Sequence, residues 1–350
     1  MTRKPIASLS LDLDNEWSYL KTRGDASWEA FPSYLDLVVP RFLALLERLG
    51  QRITVFVVGQ DAALERNASA LKSIAAAGHE IGNHSFHHEP WLHTYSRERV
   101  DDEIARAQSA IEAVTGVRPR GFRGPGYSLS RDTLEALVAH GYRYDCSTFP
   151  TYLGPVARQY YFWTAKLSAE ERKRRAALFG SLSDGLRPLR AYRWELDERT
   201  AAPGEETAAP GEETAAAIKE TAAGRRSLLE IPVTTFPLLK VPIHFSYVLF
   251  LAQLAPPLAL PYFRAALAAC RLTGIGPSLL LHPLDFLDAR DVPSLAFFPA
   301  MRMPHRSKLA ALEAALLAYR AAFEVVPVGE HAAAVAAAEG VRPVVPRFAI

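Results

Sequence analysis

Short apolar runs alternate with longer segments of helical apolar spacing along the first 150 residues. Residues 6–13 predict a buried strand that ends in carboxylates, and residues 34–49 predict a helix that stops at Gly50. The same patterns predict further strands over 53–58, 79–82, 121–123 and 142–145, and helices over 61–77, 96–115 and 130–140. Ser96 is a predicted N-cap, and Gly116 follows the end of that helix.

This alternation of strands and helices predicts an α/β fold with a parallel sheet, either a barrel or a doubly wound sheet. In such folds the chemistry gathers at the carboxyl ends of the strands. Polar residues follow several of the predicted strands, namely Asp12, Asp14, His84, His88, Arg123 and Asp145. We therefore expect a functional site at this end of the sheet.

The pattern breaks in the middle of the chain. Residues 152–194 are aromatic and basic, with the run Tyr160, Tyr161, Phe162 and Trp163 followed by four basic residues over 172–175. Residues 200–223 repeat TAAPGEE twice and continue as TAAAIKE and TAAG, a composition that cannot bury a core. The sequence thus predicts an aromatic and basic insertion over 151–199 and a disordered or loosely helical linker over 200–225.

Regular structure is predicted again in the last third of the chain. The predicted elements are a strand over 228–235, a strand over 279–281 that ends in His282, and an amphipathic helix over 306–322. Residues 241–263 hold no Asp, Glu, Lys or Arg, and their length suits a membrane span. The prolines within this stretch, Pro256 and Pro257 among them, argue against a clean span.

Composition narrows the class of protein. The chain has 350 residues, 49% of them hydrophobic and 22% charged, as expected of a soluble globular protein of about two domains. A formal net charge of +2 gives no electrostatic case for binding nucleic acid. Only two cysteines, Cys146 and Cys270, exclude a disulfide scaffold and a cysteine-rich zinc module. The N-terminal residues do not form a signal peptide, so the expected compartment is the cytoplasm.

Three residues suggest a metal site. His84 and His88 are four residues apart and can point the same way, and Asp14 arrives from another strand end. Three protein ligands with an open position are the arrangement of catalytic zinc, which lowers the pKa of a bound water. Asp12 is a candidate to take the proton from that water, and His87 is an alternative ligand. Without the carboxylates, a solvated His-rich turn would be the favoured interpretation of the two histidines.

The other candidates each have a plain structural alternative. Arg123 would keep the Asp12 carboxylate ionised if it were buried beside it, or it is a surface residue before a turn. His282 would be a general acid for a departing amine, or a histidine that caps its strand. Asp145 is a candidate to orient His282, and Asp285 is a rival for that role. Cys146 is expected to be a packing residue.

Five short motifs, in order, resemble the polysaccharide deacetylases of the NodB-homology type, also called carbohydrate esterase family 4. They are Ser10-Leu-Asp12-Leu-Asp14-Asn15, Gly78-His-Glu-Ile-Gly-Asn-His84-Ser-Phe-His-His88, Arg123-Gly-Pro125-Gly-Tyr127, Asp145-Cys-Ser147 and Leu281-His282. The second motif is the most specific. One residue separates the two aspartates of the first motif, where the family usually has an adjacent pair. This spacing resembles an Asp-x-Asp branch that includes cytoplasmic peptidoglycan-deacetylase-like proteins and purine-ring amide hydrolases.

The resemblance implies a distorted (β/α)7 barrel, TIM-like, with a long insertion. Its domains would be a barrel over 1–150 and 226–290, the insertion and linker, and a C-terminal helical extension over 291–350. The implied reaction is metal-assisted hydrolysis of an N-acyl group, with a backbone N–H near Gly126 or Tyr127 stabilising the oxyanion. The implied roles are Asp12 as base, Asp14, His84 and His88 as metal ligands, Arg123 as holder of Asp12, and Asp145 as the residue that tunes the acid, His282.

The leading functional hypothesis is a zinc-dependent deacetylase of an N-acetylated amino sugar. A cytoplasmic enzyme meets lipid-carrier sugars at the inner membrane face, so the substrate would be lipid-linked, and residues 152–194 and 241–263 would dock there. The alternative for these segments is a buried barrel helix and a solvated face. Other hypotheses are amide hydrolysis of a non-sugar substrate, deformylation of a lipid-linked amino sugar, and a metal-free binding protein that has lost turnover.

Overall fold

The computed structural model describes residues 3–154, 182–196, 226–338 and 340–348. Its strands are β1 (Ile6–Asp12), β2 (Thr54–Val57), β3 (Glu80–Asn83), β4 (Gly121–Phe122), β5 (Tyr144–Asp145), β6 (Tyr192–Leu196), β7 (Arg226–Glu230), β8 (Ser278–Leu281), β9 (Glu324–Val326) and β10 (Pro343–Val344). Its helices are α1 (Glu16–Arg23), α2 (Leu35–Arg48), α3 (Gly59–Ala62), α4 (Ala68–Ala76), α5 (Arg97–Thr115), α6 (Arg131–Ala139), α7 (Phe245–Leu254), α8 (Pro256–Thr273), α9 (His305–Ala322) and α10 (Val328–Ala337).

All the described strands lie in one sheet, in the order β10-β6-β7-β5-β4-β3-β2-β1-β8, with β9 beside β1. Every pairing is parallel except that of β6 with β7. The central strands are buried on both faces, because Leu9 and Leu11 on one face of β1 and Ser8 and Ser10 on the other are all sealed from solvent. This is the pattern of a parallel sheet covered by helices, and it confirms the predicted α/β class.

The two ends of the parallel part of the sheet approach each other just after β7. Thr234 donates its N–H to the carbonyl of Ser278 at 2.9 Å, and the Ser278 N–H donates to the Thr234 hydroxyl at 2.9 Å. β1–β5, β7 and β8 thus follow one another around a curved sheet of seven strands. Over the described residues the strand ladder is not closed, so the barrel has a seam between β7 and β8.

The predicted helix ends agree with the caps observed. Ser96 accepts a hydrogen bond from the Arg99 N–H at the start of α5, and Gly116 ends that helix with φ of 73°. The predicted helix over 61–77 is instead divided into α3, a short turn and α4. At this break Asn67 donates to the side chain and to the carbonyl of Asp61, which fixes a turn rather than a continuous helix.

The uncharged stretch over 241–263 forms parts of α7 and α8, which meet at Ala255 before Pro256. Pro256 stands at the first position of α8, where a missing N–H costs nothing. Phe245, Val248 and Leu249 face the core. Among the described helices, none is long and apolar enough to cross a membrane.

Other elements lie outside the predicted set. The C-terminal region adds strands to the sheet, because β9 pairs with β1 and β10 pairs with β6. The aromatic run 160–163, the basic run 172–175 and the repeats over 200–223 lie outside the described residues. The part of the 152–194 segment that is described includes β6, whose Trp194 is buried.

Candidate active site

Asp14, His84 and His88 converge at the carboxyl ends of β1 and β3. Asp14 Oδ1 lies 3.2 Å from His84 Nε2 and 2.9 Å from His88 Nε2. One ligand atom from each residue falls within 4.8 Å of the others, and all three residues are buried. Burial alone would raise the pKa of Asp14, but the two imidazoles hold it well below its usual range. The structure therefore brings together the three predicted ligands.

The chain after β1 is fixed by its own turn. Asn15 caps α1 by accepting the Glu16 N–H, and its side-chain amide donates to Asp61 at 2.7 Å. The Tyr34 hydroxyl donates to the Asp14 carbonyl. These contacts fix the backbone of Asp14, so its carboxylate is already in position to face the two histidines.

The orientation of His84 is set by a backbone oxygen. His84 Nδ1 lies 2.6 Å from the carbonyl of Arg123, so this nitrogen carries the proton and Nε2 presents its lone pair to the site. His88 has a positive φ of 50°, in the left-handed region that few non-glycine residues adopt. Such strain is typical of residues held in place for function.

His87 does not join this cluster, although the sequence left it open as an alternative ligand. Its ring pairs with the buried carboxylate of Glu103, which also accepts the N–H groups of Phe86 and His87, each at 3.0 Å. Burial raises the pKa of Glu103, but His87 and these N–H groups lower it below its ordinary value. Glu103, on α5, thus holds the loop that carries the two metal-site histidines.

Asp12 and Arg123 form a buried ion pair beside the cluster. Arg123 Nη1 donates to Asp12 Oδ1 at 2.6 Å and to the Ser10 hydroxyl at 2.8 Å. Arg123 Nε donates to the Cys146 carbonyl, and its guanidinium lies 4.5 Å from the ring centroid of Phe56. Arg123 is therefore buried, and the surface alternative is wrong.

The charge of this arginine is secured by its partner. Burial alone would lower the pKa of Arg123, but the Asp12 carboxylate raises it above its ordinary value. Arg123 Nη2 is buried with no hydrogen-bond partner. The positive charge of the guanidinium is thus stabilised by the Asp12 carboxylate and not by solvent.

His282 follows β8 and faces Ser246 and Asp285. Its Nδ1 lies 3.1 Å from the Ser246 hydroxyl, which donates to Asp285 Oδ1 at 2.8 Å. Asp285 Oδ2 accepts the backbone N–H of His282 at 2.8 Å. The structure therefore places Asp285, and not Asp145, beside His282.

Asp145 instead lies in a second buried group behind Arg123. Its Oδ1 accepts the Ser147 hydroxyl at 2.6 Å, and Ser147 in turn accepts the Gly124 N–H at 2.7 Å. Burial and the neighbouring Asp145 raise the pKa of Glu230 well above its usual range. Burial also raises the pKa of Asp145. These two carboxyl groups therefore favour sharing a proton, and Ser147 connects them to the turn after β4.

Gly126 and Tyr127 lie in that turn, and both have positive φ, 57° and 63°. The Tyr127 N–H donates to the Gly124 carbonyl at 2.9 Å, so it is already used within the turn. The Tyr127 ring stacks on Phe149 with centroids 4.7 Å apart. The turn thus presents an aromatic ring at the edge of the site.

Two further residues near the site were missed by sequence reasoning. His244 is buried, its ring centroid is 5.7 Å from that of His282, and its Nδ1 has no hydrogen-bond partner. Burial, His282 and Arg123 hold the pKa of His244 well below its ordinary value, which keeps the ring neutral. Burial and then Asp14 raise the pKa of Tyr19. Their positions in the sequence could have indicated them. His244 lies just before α7 in the uncharged stretch, and Tyr19 lies a few residues after Asp14.

The fold and the site define a class, a parallel α/β protein with a candidate metal centre at the carboxyl ends of its strands. The family follows from the sequence, because residues 26–144 match the model of the family described as Polysaccharide deacetylase. This segment is therefore similar to the polysaccharide deacetylases, and the resemblance carried by the motifs is confirmed. His84, His88 and Arg123 lie within the matched residues, whereas Asp12 and Asp14 precede them.

Curated relatives share this region. A peptidoglycan deacetylase of Helicobacter pylori is 29% identical over 154 residues, 42% of this chain and 50% of that protein. A peptidoglycan-N-acetylglucosamine deacetylase of Listeria monocytogenes is 30% identical over 100 residues, 29% of this chain and 21% of that protein. The chain thus spans half or less of the length of these two relatives.

A solved structure has a similar fold. It is the crystal structure of a Mycobacterium smegmatis protein assigned to the polysaccharide deacetylases, with a TM-score of 0.61 at 20% identity. The superposition covers 99% of this chain and 96% of that chain. At this identity the likeness establishes the fold alone.

Proposed function

We propose that this protein hydrolyses the N-acetyl group of an amino sugar, with the help of a divalent metal. The observation that carries the proposal is the convergence of Asp14, His84 and His88 beside the buried pair of Asp12 and Arg123. The curated relatives named as peptidoglycan deacetylases supply the substrate class, an acetylated glycan.

The donor set fits a metal ion. Two imidazole nitrogens and one carboxylate oxygen suit zinc, and the proton on His84 Nδ1 leaves its Nε2 free to bind. A bound zinc would act as a Lewis acid and would lower the pKa of a coordinated water. Asp14, His84 and His88 are the residues that would hold it.

The remaining residues supply the proton transfers. Asp12 accepts the proton of the attacking water, and Arg123 keeps this carboxylate in place at 2.6 Å. As the water oxygen bonds to the acyl carbon and the C–N bond breaks, His282, which carries hydrogens on both ring nitrogens at this step, donates the one on Nε2 to the leaving nitrogen and keeps the one on Nδ1. The products are acetate and a free amine. We assign no role in proton transfer to Asp145, whose contacts are with Ser147 and Glu230.

We further propose that the glycan is lipid-linked and that the protein works at the cytoplasmic face of the membrane. The support is an apolar rim, formed by exposed side chains on two uncharged segments, one after β5 and one after β7 that includes α7 and the start of α8. Neither the segment 146–154 nor the segment 241–263 has a charged residue. The exposed apolar side chains that form this rim are Tyr152, Leu153, Tyr247, Phe250, Leu254 and Leu258. An uncharged apolar rim suits contact with lipid better than contact with a free glycan.

The metal proposal is tested by elemental analysis and by turnover. We expect one equivalent of zinc in the wild type, loss of metal and of acetate release in His84→Ala, and retention of the metal in His87→Ala. The substrates are N-acetylglucosamine oligomers and a lipid-linked N-acetylated sugar. Wild-type protein that binds no zinc or cobalt after reconstitution would contradict the proposal and favour a binding role.

The products separate the remaining alternatives. Release of formate from an N-formyl sugar, without release of acetate from the N-acetyl sugar, would replace deacetylation with deformylation. Turnover of a ring ureide or imide, without turnover of either sugar, would point to the non-sugar branch. In both cases the metal requirement stays, whereas the substrate class changes.

Membrane contact is tested separately by flotation with anionic liposomes. The wild type is expected to float, and Phe250→Glu with Leu254→Glu is expected to stay at the bottom of the gradient. The matched control is Leu317→Glu, an exposed leucine on α9 that is not part of the rim. Failure of the intact wild type to float would refute the docking proposal and leave the hydrolase proposal intact.

A further inference from the structure

The Ser246 hydroxyl connects His282 to Asp285 through two hydrogen bonds, and the donor and acceptor of each can be assigned. We propose that Ser246 is a positioning residue that fixes the tautomer of His282 and aims its Nε2 at the substrate. This inference rests on the proposed hydrolysis, in which His282 is the acid. It assigns to a serine of α7 and an aspartate after β8 the orienting role that the motif comparison implied for Asp145.

The direction follows from counting protons. A serine hydroxyl has one hydrogen to donate, and that of Ser246 points to Asp285 Oδ1 at 2.8 Å. At the 3.1 Å contact with His282 Nδ1 the hydroxyl oxygen must therefore accept, and Nδ1 must carry the hydrogen. Nε2 is then the nitrogen that exchanges protons with the substrate.

Asp285 is itself held on both oxygens. Oδ2 accepts the His282 N–H at 2.8 Å, which closes a short capping turn that begins at Pro283. Oδ1 accepts from Ser246, and the side chain is buried. One carboxylate thus fixes the backbone of His282 directly and its ring through the serine.

The serine comes from a separate, well-packed element. It lies in the first turn of α7, between the fully buried Phe245 and the partly exposed Tyr247. Phe245 packs on Phe263 of α8 with ring centroids 5.5 Å apart. Because α7 is anchored in the core, the hydroxyl of Ser246 has a fixed position relative to β8.

Asp145 offers no equivalent contact. Its Oδ1 accepts the Ser147 hydroxyl, and its carboxyl group interacts with that of Glu230. The neutral ring of His244 is near, with its centroid 5.7 Å from that of His282, but its Nδ1 has no hydrogen-bond partner. Among the described residues, Ser246 is therefore the side chain that hydrogen-bonds to the His282 ring.

The experiment compares kinetics and the tautomer of His282 in three variants. Ser246→Ala should lower kcat by about 10- to 100-fold, since general acid catalysis contributes factors of this order or more, while KM changes by less than about twofold. Ser246→Thr, which keeps the hydroxyl, should recover most of the rate. Nitrogen-15 spectra of the neutral His282 ring should report Nδ1–H in the wild type and a mixture of tautomers in Ser246→Ala.

Asp145→Asn is the matched comparison, because it alters the rival carboxylate. It should leave the Nδ1–H signal of His282 unchanged, whatever it does to the rate. A neutral wild-type ring that carries its hydrogen on Nε2 and not on Nδ1, or a tautomer that responds to Asp145→Asn and not to Ser246→Ala, would overturn the inference. The spectra need no substrate, so absence of deacetylation would count against the proposed function and not against the Ser246 contact.

Discussion

Arg123 Nη1 and Asp12 Oδ1 lie 2.6 Å apart in a buried ion pair, of which only the Asp12 side chain keeps a small exposed fraction. Arg123 is 0% exposed and takes its other contacts from Ser10, Cys146 and the ring of Phe56. The carboxylate that we propose as the base therefore depends on a single buried cation. Removing one member of such a pair leaves the other charge buried without compensation.

We predict that Arg123→Met lowers the free energy of unfolding by about 3–5 kcal/mol, the usual cost of breaking a buried ion pair. Urea denaturation measures the change. The double variant Arg123→Met/Asp12→Asn should recover part of the loss, because no unpaired charge remains. Arg118→Met, at an exposed arginine, is the control and should cost little. Equal losses in the single and double variants would show that packing, and not charge, dominates.

Glu103 should matter to the metal site without touching a metal. Glu103→Gln removes one anionic acceptor from the loop that carries His84 and His88, and we expect it to cost about 1–3 kcal/mol of unfolding free energy. We also expect weaker zinc binding in a competition titration with a chromophoric chelator. Glu112→Gln, an exposed position on the same helix, should leave both quantities unchanged. Unaltered zinc affinity in Glu103→Gln would mean that the loop is held by its other contacts.

Metal removal should lower thermal stability, because a ligand that binds only the folded state stabilises it. At a free zinc concentration 100-fold above Kd the stabilisation is about 2.7 kcal/mol. Treatment with a chelator should thus lower the Tm of the wild type and leave His88→Ala unaffected. A chelator effect of the same size in both proteins would indicate binding at another place.

His331 provides a pH test in the core, away from the site. It is buried on α10 and contacts the Ser8 hydroxyl at 2.9 Å, and burial lowers its pKa from 6.5 to about 4. The unfolded chain therefore binds a proton on His331 between pH 6.5 and 4, and the folded chain does not, so stability falls as the pH falls through this window. By linkage the loss from His331 is about 2 kcal/mol at pH 5.

Urea denaturation at pH 7.5 and pH 5 measures this loss. His331→Asn keeps a polar group near Ser8 and removes the titration, so its stability should fall less between the two pH values than that of the wild type. Other histidines, such as His79, contribute to both proteins and cancel in the comparison. A parallel fall in the two proteins would show that His331 does not carry the proton difference.

Local patterns were sufficient to predict much of the fold. The strand that ends in Asp12 and the helix between Ser96 and Gly116 follow from apolar periodicity and caps, which depend on neighbouring residues only. The convergence of Asp14 with His84 and His88 follows from the rule that parallel strands share their carboxyl ends. These features needed no knowledge of distant contacts.

What the sequence left open depended on long-range partners. The sequence near His282 does not distinguish Asp285 from Asp145 as its partner. The connection to Asp285 depends on hydrogen bonds of Ser246, which lies on a different element. The sequence left His87 open as an alternative ligand, because its partner Glu103 lies sixteen residues away on another element. Likewise β9 and β10 are too short for a pattern to predict, and they exist because β1 and β6 offer them edges.

The seam between β7 and β8 has a dynamic consequence. Two hydrogen bonds join Thr234 to Ser278, whereas β1 and β8 pair over four residues. Opening the seam therefore costs less free energy than separating β1 from β8, and local opening begins where few bonds must break. The amide hydrogens of Thr234 and Ser278 should exchange with solvent deuterium before those of β1. His282, the proposed acid, directly follows β8, which borders the seam. We therefore expect the slow opening of the seam and the slow motions of His282 to occur on the same timescale.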